Sequence, residues 1–502
     1  MNLGFERIAY FGDSLTDSDE FFAASSAVAF FGLPPTAAGY AGQFSNGDVY
    51  SDLVPGLLGV EGGDALNYAV GGAQVLTDRT IGEVLAGSGL IRPDATEEDL
   101  GFRIDFKGQI ARFLEDEAGS DFSSTAVSVF VGFNDFDDFA PTSPETAFEE
   151  VVAYGVQLAS TVIADTAQLV GAGAGTVILH TLGDPSIFPG TQNDDPGLQA
   201  LATGLSQTYN AVLLDGAAQL EALGADVIVV DFGALFAEVE ADFRSFGFQT
   251  LDDTAVLGSN GLGGPNPAIA DIPLDQVAFF DDVHPTAALH GVIAGFQAAS
   301  IAADDVVVGE ADGDCIHTGR GDDLVLASGG NDFVVLGRGA DIAFGGLGDD
   351  IVKGGRGADL IGGGDGADLL KGGRGADIIA DGLGDDIVFG GRGADLLIDG
   401  QGDDALFGGR GADAFVFTEG SLRGEEDGGA FISGGKGVDT LILRVEDADA
   451  LEIEEFGRFS VVEDLGLTFT DIEKIVVVEG TDLSEEDFYD TQFATADLWN
   501  FV

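Results

Sequence analysis

The chain has 502 residues, 45% of them apolar, so it is long enough for more than one folded unit and apolar enough for an ordinary core. Its formal charge is −68, from 20 basic and 88 acidic side chains, which argues against nucleic acid or an anionic membrane surface as a partner and makes cations the natural counterpart. Cys315 is the only cysteine, so no intramolecular disulfide is possible. No apolar stretch approaches the roughly eighteen residues needed to span a bilayer, and the first residues lack the basic start and apolar run of a cleavable signal peptide.

In chain order, short apolar runs at 7–11, 65–70, 126–131, 176–180 and 225–231 read as strands. Helical spacing of apolar residues marks 106–117, 145–170, 198–223 and 286–301 between and after them. Five parallel strands with helical crossovers predict an α/β, doubly wound sheet over residues 1–303, with its site outside the carboxyl ends of the strands. Phenylalanines 21, 22, 30 and 31 ahead of Pro34-Pro35 read as core on a covering helix, with an acyl pocket or lid as the alternative, and the Gly/Pro-rich 259–273 reads as a rim.

After Ala302 a period of nine takes over. Counting units from Gly309, the sixth position is Asp314, Asp323, Asp332, Asp341, Asp350, Asp359, Asp368, Asp377, Asp386, Asp395, Asp404 and Asp413. The fourth is glycine from Gly321 to Gly411, and the eighth is apolar, as in Val325, Ile361 and Leu397. Glycines permit tight turns, apolar residues face inward on short strands, and aspartates face a row of hard cations. The pattern resembles the calcium-binding nonapeptide of RTX proteins, which implies an all-β parallel roll over 304–417 holding several structural Ca²⁺ ions on those aspartates. Beyond Phe417 the phasing breaks, with one partial unit at 434–439 and a strand expected near 474–478. Residues 418–502 read as a cap for the roll and, by the same resemblance, as an uncleaved address for a type I exporter, which implies an extracellular protein.

The first strand runs into Gly12-Asp13-Ser14-Leu15, placing a serine in a tight turn at a strand end. Three further blocks follow: Asn67 to Ala73, Gly132-Phe133-Asn134-Asp135, and Asp281-Asp282-Val283-His284-Pro285-Thr286. In order and spacing, over roughly residues 5–300, they resemble the GDSL, or SGNH, hydrolases, a lipase and esterase superfamily with a flavodoxin-like sheet. Phe44 to Gly47, Asn210 and the aromatic run 243–248 look like its branch of bacterial phospholipases, haemolysins and plant lipases. The resemblance implies Ser14 as nucleophile, His284 as general base and Asp281 as its partner, and an oxyanion hole from the Ser14 N–H, Gly72 N–H and Asn134 amide. His180, His290 and His317 have no acid three residues earlier followed by Pro-Thr. The expected activity is cleavage of carboxylic esters on an ester or lipid substrate, without a catalytic cofactor. Deacetylation of a polysaccharide and a non-catalytic calcium-binding surface protein are the alternatives.

Overall fold

The computed structural model of the chain describes residues 3–17, 45, 48–60, 66–71, 73–86, 91–136, 139–143, 146–189, 196–241, 243, 248, 250–251, 253–256, 266, 268, 272, 274–303, 305–309, 313–418, 429–445, 451, 453–456, 459–462 and 465–479. Two compact units result, with the main division at Ala302. No helix among the described residues is long and apolar enough to cross a membrane.

The first unit is a parallel sheet of β1 (Arg7–Gly12), β2 (Thr125–Phe130), β3 (Thr176–His180) and β4 (Asp226–Val230), in that spatial order. Register runs from Arg7 opposite Thr125 through Ala126 opposite Thr176 to Thr176 opposite Asp226. Every residue of β2 is buried, Thr125 and Ser128 included, which is why it reads as a mostly apolar run rather than an alternation. Helices cover the sheet: α1 (Tyr50–Leu58), α2 (Phe106–Asp116), α3 (Ala147–Ala172), α4 (Pro196–Ala222), α5 (Phe232–Ala241) and α6 (Ala287–Ala302). α2 lies against α3 and α3 along α4, while α1 packs on α6. The sequence reading passes over α1, where Pro55 and Gly56 sit within the helix and weaken its signal.

The strand expected at 65–70 is not one. The Tyr68 and Val70 N–H groups do donate to the Tyr10 and Gly12 carbonyls at 2.8 and 3.2 Å, and Tyr10 bridges Asn67, so the segment takes the second strand's place beside β1. Its ladder stops there because the Asn67 amide turns to the Thr16 carbonyl at 2.7 Å and the Ser51 hydroxyl at 3.0 Å, and its oxygen accepts the Ala69 N–H. Phenylalanines 21, 22, 30 and 31, most of 259–273 and residues 480–502 lie outside the described residues.

The second unit is a parallel β-roll. Two nonapeptides make one coil, so each strand pairs with the one eighteen residues on, as Ile351 pairs with Leu369 and Leu360 with Ile378. Among the described residues this builds a ten-stranded and a nine-stranded sheet back to back. Val325, Val334, Val352, Ile361, Leu370 and Ile379, one from each repeat's eighth position, stack fully buried between them. The break in phase after Phe417 is an insertion and not the end of the ladder. Ala430–Gly437 pairs with Asp404–Gly411, and Thr440–Val445 with Ala414–Thr418, before Leu467–Thr470 and Lys474–Glu479 extend the two sheets. The offset there is 26 residues in place of 18. At the far edge Phe459–Val462 and Glu454–Phe456 add antiparallel strands.

Candidate active site and calcium ladder

The turn after β1 carries the serine. Asp13 accepts the Thr16 and Asp17 N–H groups on its carbonyl and the Leu15 N–H on its carboxylate, which closes the turn with Ser14 half-exposed at its tip. Gly12 is held by Gln109 of α2, which accepts the Gly12 N–H at 2.9 Å and donates to its carbonyl at 2.7 Å. The sequence reading missed Gln109, since nothing in an amphipathic helix marks which polar residue turns inward.

Asp281 and His284 come from the loop before α6. His284 Nδ1 lies 2.8 and 2.9 Å from the two Asp281 oxygens, and Asp281 also accepts the Val283 and His284 N–H groups. On the other side His284 Nε2 lies 3.0 Å from the Ser14 hydroxyl oxygen. Asp281 is wholly buried and His284 nearly so. Thr286 starts α6 by accepting the Leu289 N–H and donating to the Val277 carbonyl, which anchors the loop at its exit. Asp282 takes no place in this line. Burial pushes His180 down to about 4 and His290 to about 3, so both stay neutral. His290 Nδ1 accepts the Tyr50 N–H, and His180 Nδ1 faces the Val129 carbonyl.

Asn134 lies in the single turn Phe133–Phe136 just past β2, half-buried and on the same edge of the sheet as Ser14. Its carbonyl accepts the Gln74 amide at 2.9 Å, and next to it buried Asp135 accepts the Val75 and Leu76 N–H groups. The strand end is thereby tied to residues 73–76. Gly72 lies outside the described residues. Of its neighbours, Gly71 donates to Asp17 and Ala73 to the Val70 carbonyl.

In the roll the sixth-position aspartates sort into two ladders, one along each edge, because coils repeat every eighteen residues. Asp323, Asp341, Asp359, Asp377, Asp395 and Asp413 form one, and Asp314, Asp332, Asp350, Asp368, Asp386 and Asp404 the other. In each, one carboxylate oxygen accepts the N–H of its predecessor, as Asp341 donates to Asp359 at 3.1 Å and Asp350 to Asp368 at 2.7 Å. The ladder of Asp323 runs on to Asp439. The second oxygens of Asp341, Asp350, Asp359, Asp368, Asp377, Asp386, Asp395 and Asp413 are buried with no hydrogen-bond partner among the described residues. Burial, and to a lesser degree neighbouring aspartates, pushes these carboxyls up, to about 7 for Asp350, Asp359 and Asp368 and about 8 for Asp386. Rows of buried, hard, orphaned oxygens are the donor set that Ca²⁺ takes. One further group was not anticipated. Asp381 and Asp399 replace the first-position glycine in two units one coil apart, and their carboxylates meet that of Asp404 within 4.8 Å in the interior. Their place in the repeat was the available signal.

No curated protein matches the chain. The family model for RTX calcium-binding nonapeptide repeats matches four times, at 302–325, 326–361, 362–397 and 381–415. The model for the GDSL-like lipase/acylhydrolases matches residues 8–295, more than half of the sequence. The chain therefore belongs to the GDSL-like lipase/acylhydrolase family and joins to that hydrolase a roll of calcium-binding RTX repeats.

Proposed function

We propose that the protein is an exported serine hydrolase that cleaves carboxylic esters through an acyl-enzyme, with a C-terminal roll that folds on calcium. The observation that carries the reading is the hydrogen-bonded line from Asp281 through His284 to Ser14 at the carboxyl end of β1. Asp281 would hold the imidazole with Nδ1 protonated, leaving Nε2 to take the Ser14 proton as the oxygen attacks the ester carbonyl. The oxyanion would be held by the Ser14 and Gly72 N–H groups and the Asn134 amide, and His284 would return the proton to the leaving alkoxide. Water activated by the same imidazole would then release the acid. In the roll, the aspartates of the two ladders would hold the calcium, which supplies charge neutralisation between coils and no catalytic chemistry.

The test is a panel of chromogenic acyl esters of increasing chain length on the calcium-loaded protein. Ser14→Ala is expected to lose several orders of magnitude in kcat with the fold intact, and Asn134→Ala roughly a hundredfold or more. Turnover by Ser14→Ala at the wild-type rate would sink the assignment.

A further inference from the structure

The roll carries a third ordered row of charge, opposite in sign to the two aspartate ladders. Along the ten-stranded sheet the register sets Arg320, Arg338, Arg356, Arg374, Arg392, Arg410 and Lys436 side by side on successive coils. All seven are exposed. They make up over a third of the 20 basic residues in a chain of charge −68, so their alignment is not what scattered surface charge would produce. With strands roughly 4.8 Å apart, the column is about 29 Å long and one residue wide.

Among the described residues none of the seven is in an ion pair. Two residues past each arginine from Arg338 to Arg410 stands an alanine, whereas the matching places on the opposite edge include Asp349, Asp385 and Asp403. Past the first member, where Asp322 follows Arg320, the turns of the cationic edge thus carry no exposed aspartate, and the buried ladder from Asp323 to Asp439 runs along the same edge. The last four members, Arg374, Arg392, Arg410 and Lys436, with the glycine preceding each, line an open groove of about 700 Å³. Like charges at this spacing repel one another, and a chain of anions laid along them relieves that repulsion.

We propose that this column binds a linear acidic polysaccharide, the guanidinium forks taking successive carboxylates. Arginine rather than lysine at six of seven places fits planar, two-pronged carboxylate recognition. A membrane is a plane, and a strip one residue wide on so acidic a protein would bring the rest of that charge against an anionic surface. Single-stranded nucleic acid needs open aromatic faces for its bases. Phe389 and Phe407 beside the column instead stack on each other, centroids 5.1 Å apart and planes within 13°. The site is separate from ester hydrolysis and depends only on the folded roll.

The test is binding of hyaluronate oligosaccharides of defined length to the full calcium-loaded protein, compared with a neutral glucan, a single-stranded oligonucleotide and anionic phospholipid vesicles. Hyaluronate is expected to bind, more weakly as salt rises. The triple variant Arg374→Gln, Arg392→Gln, Arg410→Gln should bind at least tenfold more weakly, with unchanged circular dichroism and unchanged turnover of a small chromogenic ester. The corresponding triple Arg→Lys variant, which keeps the charge and loses the two-pronged fork, should bind more weakly than wild type and more tightly than the Gln variant. Equal hyaluronate binding by wild type and the Gln variant, or tighter binding of oligonucleotide or vesicles than of hyaluronate, would overturn the proposal, as would no binding of hyaluronate to protein whose roll is folded.

Discussion

Asp13, next to the serine, is wholly buried, with one carboxylate oxygen bonded to the Leu15 N–H and the other without a hydrogen-bond partner among the described residues. Burial raises its carboxyl from 3.8 to about 7, opposed by the Leu15 bond and His284. An acid whose pKa is raised by folding contributes its stability fully below the unfolded value and loses it as pH climbs to the folded one. Ionised Asp13 therefore weighs against the fold above pH 7. Asn in its place keeps an acceptor for Leu15 and cannot ionise. Asp13→Asn should melt like wild type near pH 4 and later than wild type at pH 8, by a gain of at most about 4 kcal/mol. The near-ultraviolet signal of the buried Tyr10, Tyr50 and Tyr209 follows this unit, and a stability difference independent of pH would count against the cause given. Single residues also mark how far a sequence can be read. The Gly-Asp-Ser-Leu turn and Asp281-x-x-His284 stand in it openly, while the clamp by Gln109 and the diversion of Asn67 depend on partners distant in the chain.

At the scale of the element, the nonapeptide turn is the unit, and its glycines answer to a crowded stack. Gly357 has φ +138, and a Cβ there would overlap the Gly339 carbonyl oxygen one coil earlier. Gly357→Ala thus meets both backbone strain and a clash between coils, whereas Ala358→Gly in the same turn meets neither. The first substitution should raise the calcium concentration for half-folding of the roll at least tenfold, and the second should leave it nearly unchanged. A circular dichroism titration of both variants in the full chain checks this, and equal midpoints would refute it. The buried strands of the first unit were legible to within a residue at each end, because burial on both faces favours a mostly apolar run. The helix containing Pro55 was not legible, since tertiary packing on α6 and not local preference holds it.

Taken whole, the molecule joins a unit with an ordinary apolar core to one whose interior edges are lined with carboxylates. Among its described residues the first has no such ladder, and it should keep its sheet in chelator. In chelator the roll would confront two rows of buried aspartates with no cation to neutralise them, and the single stacked apolar residue of its central repeats, Val352 to Leu406, is a thin core to set against that. Sites that exist only between folded coils make binding and folding one event. Calcium added to the chelated full chain should therefore produce a cooperative gain of β signal, with esterase turnover present before and after. A spectrum already β-rich in chelator and unmoved by calcium would rule this out. The same coupling suits export, since a chain kept loose where calcium is scarce can be threaded out and fold where it is plentiful. Ending the chain near Gly437 should trap it inside the cell, and undiminished protein in the culture supernatant would contradict an address in the last residues.

The sequence by itself determined the two kinds of architecture, because hydrophobic period and glycine phasing are local properties repeated many times over. It also determined which residue types stand at strand ends and in turns. Only the tertiary structure decided that nine-residue units pair at eighteen, which splits one series of aspartates into two ladders and gathers every second third-position residue into a column of cations. It alone turned Asn67 out of its strand, carried the ladder past Phe417, and brought His284 to 3.0 Å from a serine 270 residues earlier. Distances of that kind are set by how strands stack and crossovers close, and these depend on the whole chain at once.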